Sequence, residues 1–228
     1  MSNNSNILPW RRLFFLRTEL DQIITLSMIF SGCMLLVRVI WTGHLTFIFL
    51  VWNLFLAYLP YMLTNWLQRQ PIANWSKWKF WLVFLGWLLF IPNSFYIITD
   101  LFHFGNYYIL PLWFDLVFIL SCAWNGLLLG LLSVRQMEKI LSPYLARKPE
   151  IFFVYPIMWM NALGVYIGRF LRFNSWDILT NPFGVITDII KMMMHPVRYR
   201  DAWGMILCFS VFMTLVYLAI KRIHKAIG

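Results

Sequence analysis

Asp100 and His103 stand three residues apart in PNSFYIITDLFHF, and a helix carries such a pair on one face. A carboxylate and an imidazole so placed can share a proton or a cation. Asp115 follows after Gly105, a helix stop, and Pro111, a helix start. Brought beside the first two, it would complete two carboxylate oxygens and one imidazole nitrogen with a position open to water, a donor set for a catalytic divalent metal. Without metal, His103 could act as a general base. Downstream, GRFLRFNSWD (168–177) supplies Arg169 and Arg172, whose guanidinium forks match carboxylate or phosphate. Asp100, His103 and Asp115 are therefore the candidate catalytic and metal-ligating residues. The candidate binding residues are Arg169, Arg172, Asn174, Asp177, Asn93, Tyr96 and Asn53.

The same residues have a purely structural use. Asp100 and Asp115 could pair with Arg169 and Arg172 and hold three helices together, since charges in a poorly solvated place need partners. The catalytic signal is not specific. The chain has four histidines in all, His44, His103, His195 and His224, and no GxSxG, HExxH or P-loop motif.

The elements that must position these residues are apolar helices. Only 12% of the 228 residues are charged while 61% are hydrophobic, too apolar a composition for one water-soluble core. Six runs approach the roughly 20 residues that cross a bilayer: 22–41, 45–67, 79–100, 109–134, 151–171 and 202–221. Between spans five and six, Thr180 or Asn181 can cap a helix of about 12 residues that opens on Pro182 and ends at Pro196. Phe183, Ile186, Ile189, Ile190 and Met193 spread over one side of it, which marks an interfacial helix too short to span. The expected fold is thus an all-α membrane protein with six transmembrane helices and an extra interfacial helix between spans five and six. Residues 1–21 form an N-terminal cytoplasmic or interfacial segment, amphipathic over Ile7–Leu20, 22–221 the membrane domain and 222–228 a tail.

The net charge of +10 would suggest nucleic acid in a soluble domain, but here the basic residues lie in short clusters between spans, so no nucleic-acid partner is expected. Of the 19 Lys and Arg, five (Arg169, Arg172, Lys191, Arg198 and Arg200) fall on one side, Arg38 sits within span one, and the rest fall on the other side. The positive-inside rule then places both termini in the cytoplasm and the candidate site outside. Arg38 is expected to snorkel to the outer interface, with a partner on another helix as the alternative. Cys33, Cys122 and Cys208 form no CxxC and no even set, and read as packing residues rather than a disulfide or thiolate metal site.

On this topology the polar side chains converge. Pro92 breaks a backbone bond in span three, and Asn93, Tyr96, Asp100 and His103 follow at spacings of three, four and three on one helix face. Span five carries Asn161, Gly164, Gly168 and Arg172 on one stripe, with a small-xxx-small pair for close helix approach. Span two adds Asn53, and Asn174, Ser175 and Asp177 would close the pocket.

PNSFYIITDLFHF, WFDL and GRFLRFNSWD together resemble the domain of unknown function 1361 family, bacterial integral membrane proteins, over roughly residues 45–220. The family pattern often has a small residue and a proline where this chain has Ser94 and Phe95. The resemblance implies a multi-pass protein of the bacterial cytoplasmic membrane and no particular activity. Three functions remain open on the residues. One is a charge-paired extracytoplasmic pocket that binds a lipid or another anionic amphiphile. A second is an enzyme, with or without a divalent metal, acting on a lipid-linked or phosphorylated substrate. The third is a non-enzymatic carrier or assembly partner, in which Trp52, Trp87, Trp124 and Trp159 line an apolar cavity or simply fill space.

Overall fold

A computed structural model describes residues 19–72, 75–105, 110–143, 150–173 and 180–227. Among them every regular element is helical: α1 (Glu19–Thr42), α2 (Phe49–Leu67), α3 (Lys77–Tyr96) continued by a 3-10 helix (Ile97–His103), α4 (Leu112–Leu141), α5 (Ile151–Arg169), α6 (Pro182–Met194) and α7 (Arg200–Ile227). The amphipathic segment expected before Leu20 lies almost wholly outside the described residues, as do Asn174, Ser175 and Asp177.

Five segments are long and apolar enough to cross a membrane: Glu19–Thr42, Lys77–His103, Leu112–Leu141, Ile151–Arg169 and Arg200–Ile223. The run expected at 45–67 becomes α2, 19 residues long, and is not among the five. Asn53, Pro60, Thr64 and Asn65 lower its hydropathy. The outward faces are as apolar as the interior, with Ile40, Trp41, Trp78 and Trp113 between 65% and 82% exposed. Apolar surface on that scale is not stable against water, and points to lipid as the surrounding medium.

The central helix is α4, whose apolar window is 67% buried against 22–39% for the other four. It packs on α1, α2 and α3, while α5 packs on α3 and α7. Glycine makes the closest approach possible. A Cβ on Gly126 would come 2.7 Å from the Ser94 carbonyl oxygen, and one on Gly130 2.9 Å from Ser94 Cβ, so α3 lies directly against α4. Ser94 uses that position to donate to the Ala57 carbonyl at 2.8 Å, tying α2 to α3. Trp87 packs fully buried and donates Nε1–H to Ser133 Oγ at 2.8 Å. Of the cysteines, only Cys122 packs inside. Cys33 and Cys208 are exposed on the outside of the bundle, contrary to their expected packing role, because their helix faces are covered by no other helix among the described residues.

The six helices other than α6 alternate in direction, which gathers two polar ends. At one, Glu138 of α4 accepts from Arg135 at 2.9 Å, from Lys221 at 2.7 Å and from the Tyr217 hydroxyl, and Lys221 also reaches Glu150 at the start of α5. Gln136 accepts from Thr64 at 2.6 Å and donates to Asn65 at 2.7 Å, joining α2 to the same end. The other end holds Asp100 and Asp115.

Candidate binding site at the Asp100 end

Asp115 lies in the first turn of α4, where the helix dipole favours a carboxylate. Its partner is Arg38 of α1. Arg38 Nε donates to Oδ1 at 2.9 Å and Nη2 to Oδ2 at 3.4 Å, with the two side chains 0% and 4% exposed. Nη1 donates to Thr46 Oγ1 at 2.9 Å, and the guanidinium carbon sits 4.2 Å from the Phe47 ring centroid. Arg38 therefore does not snorkel: a carboxylate, a hydroxyl and an aromatic face, all supplied by the packing of α1 and its connector on α4, replace water around it. The sequence-based set of Asp100, His103 and Asp115 is not assembled. Asp115 is committed to Arg38, and among the described residues no three His, Cys, Asp or Glu side chains are placed to hold a metal ion.

Asp100 and His103 do share a site. From Ile97 the helix tightens to 3-10, in which residues three apart line up directly. Thr99 contributes by donating its hydroxyl to the Tyr96 carbonyl at 2.6 Å, and Gly105 ends the element with a φ of 82°. Asp100 is 1% exposed and accepts from Asn53 Nδ2 of α2 at 2.8 Å and from Arg169 Nη1 of α5 at 3.4 Å. The same Nη1 lies 3.2 Å from His103 Nε2. A guanidinium has no acceptor, so His103 accepts there and carries its ring proton on Nδ1. The His103 ring also meets Phe49 edge-on at 5.1 Å, and Phe102 lies 5.5 Å from the Arg169 guanidinium carbon. Three elements thus converge on Asp100, and Arg169 rather than Asp100 is the group that touches the histidine. The remaining nitrogens of Arg169, Nε and Nη2, make no hydrogen bond among the described residues.

Arg172 is not part of this cluster. The sequence placed it on the stripe of Asn161, Gly164 and Gly168, but α5 stops at Arg169, and Arg172 lies beyond it, exposed, with a φ of 60°. A left-handed residue after a helix end lets the chain close back on the last carbonyls. Here the Phe173 amide bonds the Ile167 carbonyl at 3.3 Å. The turn redirects the side chain off the helix face and leaves Arg172 without an ion pair among the described residues. Asn161 is fully buried, and its Oδ1 has no hydrogen-bond partner among them.

Behind the cluster lies a cavity of about 320 Å3. Its walls come from α2, α3, α5 and α6 and are mainly apolar, with five leucines among them and Trp52 at the side. Asn53, Asn93 and Tyr96 add its polar edge. Pro92 and Gly164 make the junction: a Cβ on Gly164 would come 2.6 Å from Pro92 Cγ, and one on Gly168 3.3 Å from the Tyr96 ring. Asn93 donates to the Phe90 carbonyl at 2.9 Å. Asn53 belongs to both places, lining the cavity and holding Asp100.

The cover was only half visible in the sequence. Asn181 caps α6, its Oδ1 accepting from the Gly184 amide at 3.1 Å, with Pro182 in the first turn. Phe183, Ile186, Ile190 and Met193 point outward, whereas Ile189 turns with Val185 to line the cavity. The apolar periodicity marked the helix but not its division between two faces. Val185 and the cavity leucines had no distinguishing signal, because a leucine facing a cavity looks like one facing lipid. Arg38 had one signal, a charge inside an apolar run.

Comparison with known proteins gives a family and nothing finer. No curated protein and no solved structure matches the chain. A family model described as Protein of unknown function (DUF1361) matches residues 52–216, which takes in Asn53, the 3-10 helix, the cavity, α6 and most of α7. The chain therefore belongs to the DUF1361 family.

Proposed function

We propose that this protein is a six-span protein of the bacterial cytoplasmic membrane that binds an anionic amphiphile, a lipid or lipid-like molecule, from the extracytoplasmic side. In this reading α2 crosses as the sixth span, α6 lies at the outer interface, and both termini are cytoplasmic. The charge asymmetry of the connections supports the orientation. The observation that carries the binding reading is the dual position of Asn53, in the wall of an apolar cavity and 2.8 Å from the buried carboxylate of Asp100. An apolar space that runs into a few convergent polar groups fits a molecule with a chain and a head. Arg169 offers Nε and Nη2, and Arg172 stands nearby in sequence as an exposed second cation, so a phosphate or carboxylate head is the match.

The test is lipid retention by purified protein, read by native mass spectrometry. A bound anionic amphiphile that survives delipidation, and is lost in Arg169→Ala and in Leu163→Trp, supports the reading. Equal retention of neutral and anionic lipid by all three proteins sinks it. Labelling of a single cysteine at Ser175 by an impermeant external probe tests the orientation.

A second reading rests on the Arg169–His103 contact. A phosphate that drew the guanidinium toward itself would free His103 Nε2 beside the head, where it could act as a base on a lipid-linked substrate. Turnover of a polyprenyl phosphate or pyrophosphate that His103→Ala abolishes, without change in lipid retention, would favour this enzyme over a binding protein.

A further inference from the structure

A second cavity, of about 720 Å3, opens along α3 and α5 at their opposite ends, toward Glu138. The two helices are held close near the first cavity by Gly164 and Gly168 against Pro92 and Tyr96. No glycine serves the other end. Phe80, Trp81 and Phe84 of α3 and Phe152 and Phe153 of α5 line the opening there instead. The volume falls within the about 300–1,000 Å3 of ligand sites.

The charge around this opening has one sign. Among its lining residues the only ionisable one is Lys77, which is exposed. Lys79, two residues on and also exposed, has Nζ 4.3 Å from the centroid of Trp75, another wall residue. Neither lysine has an ion pair among the described residues. Among the described residues no acid lines the opening: Glu138 is held by Arg135 and Lys221 and Glu150 by Lys221, while Glu19 and Asp21 stand at the start of α1, outside its walls. An apolar aromatic recess beside two lysines that form no ion pair among the described residues selects a chain below and an anion above.

We propose that this cavity holds an acyl chain of an anionic phospholipid from the leaflet on the Lys77 side, with the lipid phosphate between Lys77 and Lys79. The site is distinct from the Asp100 cavity, and the two fail separately, because Lys77 and Lys79 take no part in the Asn53–Asp100–Arg169 cluster.

The test uses the full chain in lipid nanodiscs with phosphatidylglycerol carrying a photoreactive group on its acyl chain, and crosslinked peptides mapped by mass spectrometry. Labelling is expected to concentrate on the peptides holding Phe80–Phe84 and Phe152–Ile157. Unlabelled phosphatidylglycerol should compete, and phosphatidylcholine and inorganic phosphate should not. Lys77→Gln with Lys79→Gln, both exposed and so compatible with folding, should lower this labelling about thirtyfold, given the attraction of each lysine near an anionic surface. Labelling at the Asp100 cavity should stay unchanged. The proposal is overturned by labelling spread evenly over all lipid-facing helices, by no response to the lysine variants, or by equal competition from phosphatidylcholine. Loss of labelling to inorganic phosphate would make the ligand a free anion and overturn the lipid assignment.

Discussion

Removing Arg38 should damage this protein far more than removing the charge of Asp100, although both acids are buried and each faces one arginine. Arg38→Met leaves the Asp115 carboxylate 4% exposed with no cation among the described residues, and takes the guanidinium away from the Thr46 hydroxyl and the face of Phe47. Orphaning one member of a buried pair costs about 3–5 kcal/mol. At about 2–4 °C per kcal/mol for a chain of this size, the melting temperature should fall by roughly 6–20 °C. The double variant Arg38→Met with Asp115→Leu removes both charges and should recover most of that loss, because an apolar pair of similar volume needs no desolvation. Asp100→Asn differs in kind. It removes a single contact at 3.4 Å to an arginine that is 16% exposed, and an amide in its place can still bond Asn53. Its expected cost is about 1 kcal/mol, a shift of roughly 2–4 °C. Thermal unfolding of the four proteins in one detergent, followed by near-UV circular dichroism, measures all of this. Equal shifts for Arg38→Met and Asp100→Asn, or a double variant as unstable as Arg38→Met, would refute the division into a structural pair and a binding pair.

Other substitutions probe the packing and the turn. Gly126→Ala puts a Cβ 2.7 Å from the Ser94 backbone oxygen and should destabilise by about 1–3 kcal/mol. Gly86→Ala meets nothing within 4 Å and should stabilise by up to about 1 kcal/mol, a paired control in the same unfolding assay. Ser133→Ala leaves the buried Trp87 indole N–H without its acceptor and should cost about 1–3 kcal/mol, visible also as a changed tryptophan emission. Arg172→Gly should stabilise relative to Arg172→Ala by roughly 1 kcal/mol, since φ at this position is 60°, while both lose the charge. Comparing their lipid retention therefore separates the guanidinium from the turn.

The helical class and most boundaries were legible from apolar run length, because a bilayer-length run of hydrophobic residues has few other uses. The expected 79–100 and 151–171 differ by only a few residues from the observed Lys77–His103 and Ile151–Arg169. Turn chemistry was legible too. Asn181, Pro182 and Gly105 act where local backbone preference places them. So was the meeting of Asp100, His103, Arg169 and Asn53, since helical spacing and alternating direction send all four to one end.

Pairing was not legible. Arg38, Arg169 and Arg172 were equivalent in charge and in nearness to the same end, and nothing local says which of them meets Asp115. That choice is made by the packing of α1 on α4 for Arg38, and by the stop of α5 at Arg169 for Arg172. The cavities were equally hidden. α3 and α5 touch where Gly164 meets Pro92, and a cavity lined by aromatic side chains of both lies nearer their other ends, a contrast that no local signal carries. Periodicity reports which face of a helix avoids water, and in lipid every face does so. Only the three-dimensional neighbour of each side chain could decide between packing, cavity and bilayer.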